Sequence, residues 1–392
     1  MRPKNRRLIE ALAVVLVAVL VLGFVRLAEG PDPPLRSDQV AINLMVVKAL
    51  HPDWFQGDLL YGPDYYRYYT PLFVRLQAAL ARLWGDDPVA ALHALFWPTG
   101  LLFLIGHYVL FRSLTDSPWA AGLGALSAMT VRNALGGEYW GFGGIGSVQP
   151  RGIAEGLTPF LILAFLCWRT HRLFPAFFLL VGGVANLHPV SGFHLAQVTA
   201  LTHLWVARFR RRAWGQVAVG AGLFVLGALP FLLRFLPGKE NLSEPTLLPV
   251  VRAALDYRFD YLFFPQRLDA LLSVTFHAAL PAALLLWLRR RRQWDGDLRL
   301  LGLLGTLALF AGFVGTALIQ LLAVFADRPY LDINQLRAAK FMYVPLLAVF
   351  PLAFAELLPR RGARTRAALV LLFVASVSPS WRDHSFCLSG AA

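Results

Sequence analysis

Carboxylates, aromatic rings and cations crowd one stretch of this chain. Asp38 stands in Arg36-Ser37-Asp38-Gln39, ahead of an apolar run over 40–50. His51-Pro52-Asp53-Trp54-Phe55-Gln56-Gly57-Asp58 follows, its Pro and Gly enforcing turns and its carboxylates set beside aromatics. Tyr61-Gly62-Pro63-Asp64-Tyr65-Tyr66-Arg67-Tyr68-Tyr69 then packs five tyrosines into nine residues, and Arg75 and Arg82 share a face of an amphipathic helix expected over 71–84. Short carboxylates accept protons, aromatic faces stack on ligand rings, and guanidinium groups neutralise anions. Each group also has a plainer use. Ser37 or Asp38 can cap the free N–H groups of a helix, the tyrosines can form an interfacial belt, and the arginines can touch lipid phosphates. Their convergence in one loop favours a site.

The elements that must position this loop are set by hydropathy. Mean hydropathy is +0.56, and 57% of the 392 residues are hydrophobic against 15% charged. That much apolar surface cannot hide inside one soluble core, so most of it faces lipid. Arginine clusters at Arg169/Arg172, at 208–212, at 289–292 and at 360–366, with a weaker turn at Arg112, each end one apolar stretch and begin another. They divide the chain into about eleven stretches near the roughly 20 residues a membrane-spanning helix needs: 9–27, 89–111, 119–133, 152–168, 174–187, 192–207, 214–236, 268–288, 298–325, 341–358 and 366–377. The expected fold is therefore all-α, a single integral membrane domain over 1–392.

Charge orients it. With loops assigned alternately, those on the Met1 side hold about 20 of the 37 Lys+Arg and about 5 of the 23 Asp+Glu, whereas the opposite side holds about 17 and 18. The positive-inside rule then places the N-terminus in the cytoplasm and, with an odd number of spans, the C-terminus outside. The net charge of +14 reports topology, which leaves nucleic acid out as a partner and membrane lipids in. No small-residue cleavage site follows the first span in Val25-Arg26-Leu27-Ala28-Glu29-Gly30, so it reads as a retained anchor. Cys167 and Cys387 fall on opposite sides and cannot pair.

External connections are the long ones: 28–88, 134–151, 237–267 and 326–340, with a fifth turn at Asn186/His188. In the first, Gln39 and Asn43 share one face of a helix whose other faces carry Ile42, Leu44, Met45, Val46 and Leu50, as in a helix lying along the membrane surface. The second holds six glycines around Tyr139 and Trp140, which could stack on a sugar ring. It lacks the Gly-Lys-Ser/Thr of a nucleotide loop, and a plain flexible or re-entrant loop is the reading its composition favours. His188 and His194, six apart, make a poor metal pair; His188 suits a hydrogen-bonding partner or an interfacial turn. In 237–267, Arg252 and Asp256 stand four apart on a helix that would cover a cavity as a lid or lie ion-paired on the surface.

A first span with its N-terminus inside, a large first external loop with two surface helices, an acid opening the first of them and about eleven spans resemble the GT-C superfamily of membrane glycosyltransferases. Asp38-Gln39 through Asp58 is similar to a bacterial branch of that clan. The resemblance implies a bacterial inner-membrane enzyme that moves a sugar from a polyprenyl-phosphate carrier to an extracytoplasmic acceptor. Asp38 then matches the acid that activates the acceptor or helps hold a divalent cation, with Asp58 as a second carboxylate and Gln39, Tyr65, Tyr139, Trp140 and His188 against substrate. Many members carry two adjacent acids where this chain has Asp38-Gln39. A phosphate donor also calls for cations at the same face. Arg337 and Lys340, three apart where the tenth span begins, and Arg151 at the start of the fourth are the candidates, with snorkelling to headgroups as their plainer use. Two other classes stay open: a transporter or flippase of a lipid-linked solute, and a non-catalytic assembly protein. Spans almost free of mid-membrane charge and the lack of an internal repeat favour the enzyme.

Overall fold

The computed structural model describes residues 3–30, 38–56, 70–130, 148–239, 296–325 and 335–342, with a few isolated positions between them. These residues form helices and turns, and no strand occurs among them. The helices are α1 (Pro3–Glu29), α2 (Asp38–Leu50), α3 (Pro71–Ala81), α4 (Pro88–Leu114), α5 (Pro118–Thr130), α6 (Pro150–Trp168), α7 (Phe174–Ala185), α8 (Pro189–Val206), α9 (Arg211–Lys239) and α10 (Gly296–Phe325), followed by a 3₁₀ segment over Gln335–Met342. Proline opens seven of them at the first turn, where its missing N–H costs nothing, and Asp87 caps α4 by accepting from Val89 N at 2.8 Å and Ala90 N at 3.1 Å.

Five of these helices are long and apolar enough to cross a membrane: 8–27 within α1, α4, α6, 211–236 within α9 and 296–319 within α10. Helix α7, with 12 residues, rises only about 18 Å, short of a hydrocarbon core of roughly 30 Å. The expected span over 119–133 begins in α5, and residues 131–147 lie outside the described part. The expected spans over 268–288, 341–358 and 366–377 lie wholly or almost wholly outside it too.

Polar ties at the helix ends fix an antiparallel arrangement. Glu10 of α1 accepts from Arg112 Nε at 2.7 Å and Tyr108 Oη at 2.6 Å, both near the C-terminal end of α4. Arg169, just past α6, pairs with Asp297 at the start of α10 at 2.7 Å. The ring of His203, late in α8, stacks on Phe174, the first residue of α7, at 4.1 Å between centroids. These contacts define an arginine-rich end of the bundle. The starts of α4, α6 and α8 and the end of α7 therefore gather at the far end.

Helices α7 and α9 pack closely through small residues, as helices do where hydrophobic driving force is weak. A Cβ added to Gly182 would collide with the carbonyl oxygen of Phe224, and one on Gly227 with that of Leu179. Pro230 breaks the ladder of α9 one turn later. There the Asn186 amide enters the gap. Its Oδ1 accepts from Phe231 N at 2.9 Å and its Nδ2 donates to Gly227 O at 2.8 Å, the two groups that an unbroken helix would join directly.

Helices α2 and α3 lie across the far end. The face of α2 that carries Gln39 and Asn43 turns inward, with Gln39 0% and Asn43 5% exposed, alongside Ile42, Met45 and Val46. Buried amides need partners. Gln77 of α3 donates to Asn43 Oδ1 and to Pro88 O, tying α2 and α3 to the start of α4. Arg75 and Arg82 do share an exposed face of α3 and the 3₁₀ turn that continues it.

A cationic candidate site at the far end

Proline at its first position starts α8, and His188 caps it: the ring Nδ1 accepts from Ser191 N at 3.1 Å. The hydroxyl of Ser191 lies 2.7 Å from that same nitrogen. Lys340, from the 3₁₀ segment, donates to Ser191 Oγ at 2.6 Å. An ammonium can only donate, so the hydroxyl hydrogen is left to point at His188 Nδ1. The imidazole is thus held as the tautomer with its proton on Nε2. Ser191 and Lys340 are each 2% exposed, and the Lys340 ammonium also sits 5.5 Å from the centre of the Phe341 ring.

Burial pushes the His188 titration well below its ordinary value, and the positive charges of Lys340, Arg337 and Arg151, with His194, push it further the same way. Three cations from two separate elements therefore act on one neutral imidazole. Arg151 occupies the first turn of α6, where a positive side chain opposes the helix dipole. Arg337 and Lys340 are three apart in a 3₁₀ helix, whose three-residue turn stacks them on one side. Such a set of donors favours an anion.

A second chain of amides holds the 3₁₀ segment in place. Gln335 Nε2 donates to Gln197 Oε1 at 2.8 Å and to Ala311 O at 3.0 Å, joining the segment to α8 and α10. Gln197 in turn lies 3.4 Å from His194 Nδ1. The Gln335 side chain fills the space beside Gly315, where a Cβ would strike it.

The start of α2 reaches the same region. Gln39 Nε2 donates to Val148 O at 3.3 Å, and Gly152 N donates to Gln149 O at 2.8 Å in the turn that leads into α6. The first turn of α2, which opens with Asp38, is thereby tied three residues ahead of Arg151. Glu155, one turn further along α6 on the face of Arg151, is 5% exposed.

Of the residues singled out from sequence, Arg151, His188, Arg337 and Lys340 come together, and Gln39 fastens the adjoining junction. The backbone of Asp38 opens α2, while its side chain lies outside the described part, as do Asp58, Tyr65, Tyr139, Trp140 and residues 240–267. Sequence reasoning passed over Ser191, Gln197 and Gln335. The signal for Ser191 was its place three residues after His188 in a proline-started helix, the spacing of a cap. Cys167 is a free, exposed thiol, and among the described residues no group of three His, Cys, Asp or Glu could hold a metal ion. Compared with known protein families, curated proteins and solved structures, the chain matches none.

Proposed function

We propose that this chain is a GT-C-type membrane glycosyltransferase that takes a sugar from a polyprenyl-phosphate carrier and gives it to an acceptor hydroxyl at the far end of the bundle. In this reading that end faces outward from a bacterial inner membrane, with the N-terminus in the cytoplasm. One observation carries it: Arg151, Arg337, Lys340 and a neutral His188 act together beside the junction where α2 begins.

The chemistry follows from charge. An acceptor oxygen attacks the anomeric carbon and forms the new glycosidic bond. The bond from that carbon to the phosphate oxygen breaks, and the electron pair stays on the phosphate. The acceptor proton goes to the Asp38 carboxylate. As negative charge grows on the departing phosphate, the cations and the Nε2–H of His188 stabilise it, and dropping one such preorganised donor costs roughly 10²–10³ in turnover. A divalent cation, where one takes part, would lie with Asp38 and add to the same stabilisation.

Purified protein incubated with a panel of polyprenyl-phosphate sugars is expected to release free carrier phosphate and to load sugar on acceptor. Asp38→Asn should abolish release while leaving expression and donor binding intact. Wild-type turnover in that variant would remove Asp38 from the mechanism. Carrier that crosses a vesicle membrane with its sugar still attached would replace the enzyme with a flippase.

A further inference from the structure

At the arginine-rich end, α8 closes in an unusual way. Phe209 N donates to Leu204 O at 2.8 Å and Arg208 N to Trp205 O at 3.0 Å, a closure whose left-handed residue is ordinarily glycine. Here it is Arg208, at φ +52°, and the next residue, Phe209, is left-handed as well, at φ +54°. Two consecutive side-chain-bearing residues in this region carry strain that the surroundings must hold. The result is a hook that sets the Phe209 ring between Trp205, at 6.2 Å between centroids, and Trp214, at 6.4 Å. All three rings are about half exposed, at 50–55%.

Four arginines are interleaved with this aromatic row along the chain. Arg208, Arg210, Arg211 and Arg212 are all exposed, and none is ion-paired to a described residue. Sequence explains why: between Glu155 and Glu240 the chain has no Asp or Glu at all, so α7, α8 and α9 offer no carboxylate. The acids placed at this end by the helix ties, Glu10 and Asp297, are taken by Arg112 and Arg169. Concentrated, unmatched positive charge beside exposed indole and phenyl rings is the pattern of a headgroup site. Guanidinium forks suit phosphate oxygens, and amphipathic rings settle at the boundary between headgroup and acyl chain.

We infer that the α8–α9 turn binds an anionic phospholipid, its phosphate held by Arg208, Arg210, Arg211 and Arg212 and its glycerol region packed on Trp205, Phe209 and Trp214. This site is independent of the transferase reading and lies at the opposite end of the bundle.

Native mass spectrometry of the detergent-purified chain, titrated with phosphatidylglycerol and in parallel with phosphatidylcholine, tests it. Phosphatidylglycerol should be retained preferentially, and each Arg→Gln change at the four positions should weaken it by about fivefold, the effect of one basic residue near an anionic surface. Phe209→Ala, which keeps every charge, should also weaken retention several-fold. Equal retention of the two lipids would overturn the site, and so would an unchanged preference in the arginine variants. Since sugar transfer does not enter the measurement, a failed transferase assay and a failed lipid assay stay distinguishable.

Discussion

Replacing Asn186 by alanine removes the side chain that rejoins α9 across its proline. Asn186 is 5% exposed, and its amide satisfies Phe231 N at 2.9 Å and Gly227 O at 2.8 Å, both part-buried between packed helices. Each buried backbone group left without a partner costs about 1–3 kcal/mol, so the pair should lose about 2–4 kcal/mol, allowing for partial relaxation. Asn186→Asp should fall between, because it keeps an acceptor for Phe231 N–H and loses the donor to Gly227 O. Unfolding equilibria in mixed micelles would give the stability change, and amide exchange at Phe231 would locate it. Turnover should drop along with stability, since His188 lies two residues further on in the same turn. A loss below about 0.5 kcal/mol with unaltered exchange at Phe231 would refute the reasoning, because α9 would then close its own ladder past Pro230.

Other outcomes follow from the same geometry. Ser191→Ala should keep the fold and lower turnover by roughly 10²-fold, because it removes the hydroxyl that links His188 Nδ1 to Lys340 and so unseats the ammonium; Ser191→Thr should restore part of the rate, and a full rate in the alanine variant would leave the hydroxyl no part in turnover. His188 is held neutral in the folded chain, whereas unfolding returns it to an ordinary value of 6.5. The unfolded state therefore binds the extra proton below that value, and stability should fall as pH drops through it and stay level above. Measured against His188→Gln, the wild type should lose stability faster on the acid side; parallel curves would contradict the depressed titration. Gly182→Ala should cost about 1–3 kcal/mol through its collision with the Phe224 carbonyl, read as a lowered unfolding midpoint.

Much of the helix order could be read from arginine positions. Arg112 falls in the last turn of α4, Arg169 just after α6, and the 208–212 cluster runs from the end of α8 into the start of α9. A guanidinium placed at a helix C-terminus favours both the dipole and the water boundary, so composition and geometry coincide there. What sequence could not convey was which face turned in. Gln39 and Asn43 pattern as the polar edge of a surface helix, yet both are buried, where the Val148 carbonyl accepts from Gln39 and Gln77 donates to Asn43 Oδ1, both partners far along the chain. The break at Pro230 was legible as a residue, but its repair by a side chain 44 positions earlier was not. Arg337 and Lys340 were legible as a pair three apart. That spacing suits α and 3₁₀ windings alike, so the winding itself had no signature.

That winding has a mechanical meaning. A 3₁₀ helix advances 120° per residue and an α-helix 100°, so uncoiling Gln335–Met342 to the wider form would rotate Lys340 about 60° away from Arg337 and shorten the eight residues from about 16 Å to about 12 Å. The segment behaves like a tightened screw. Aligned cations and full length go together, and whatever slackens the thread disperses the charge and pulls on the chain that follows.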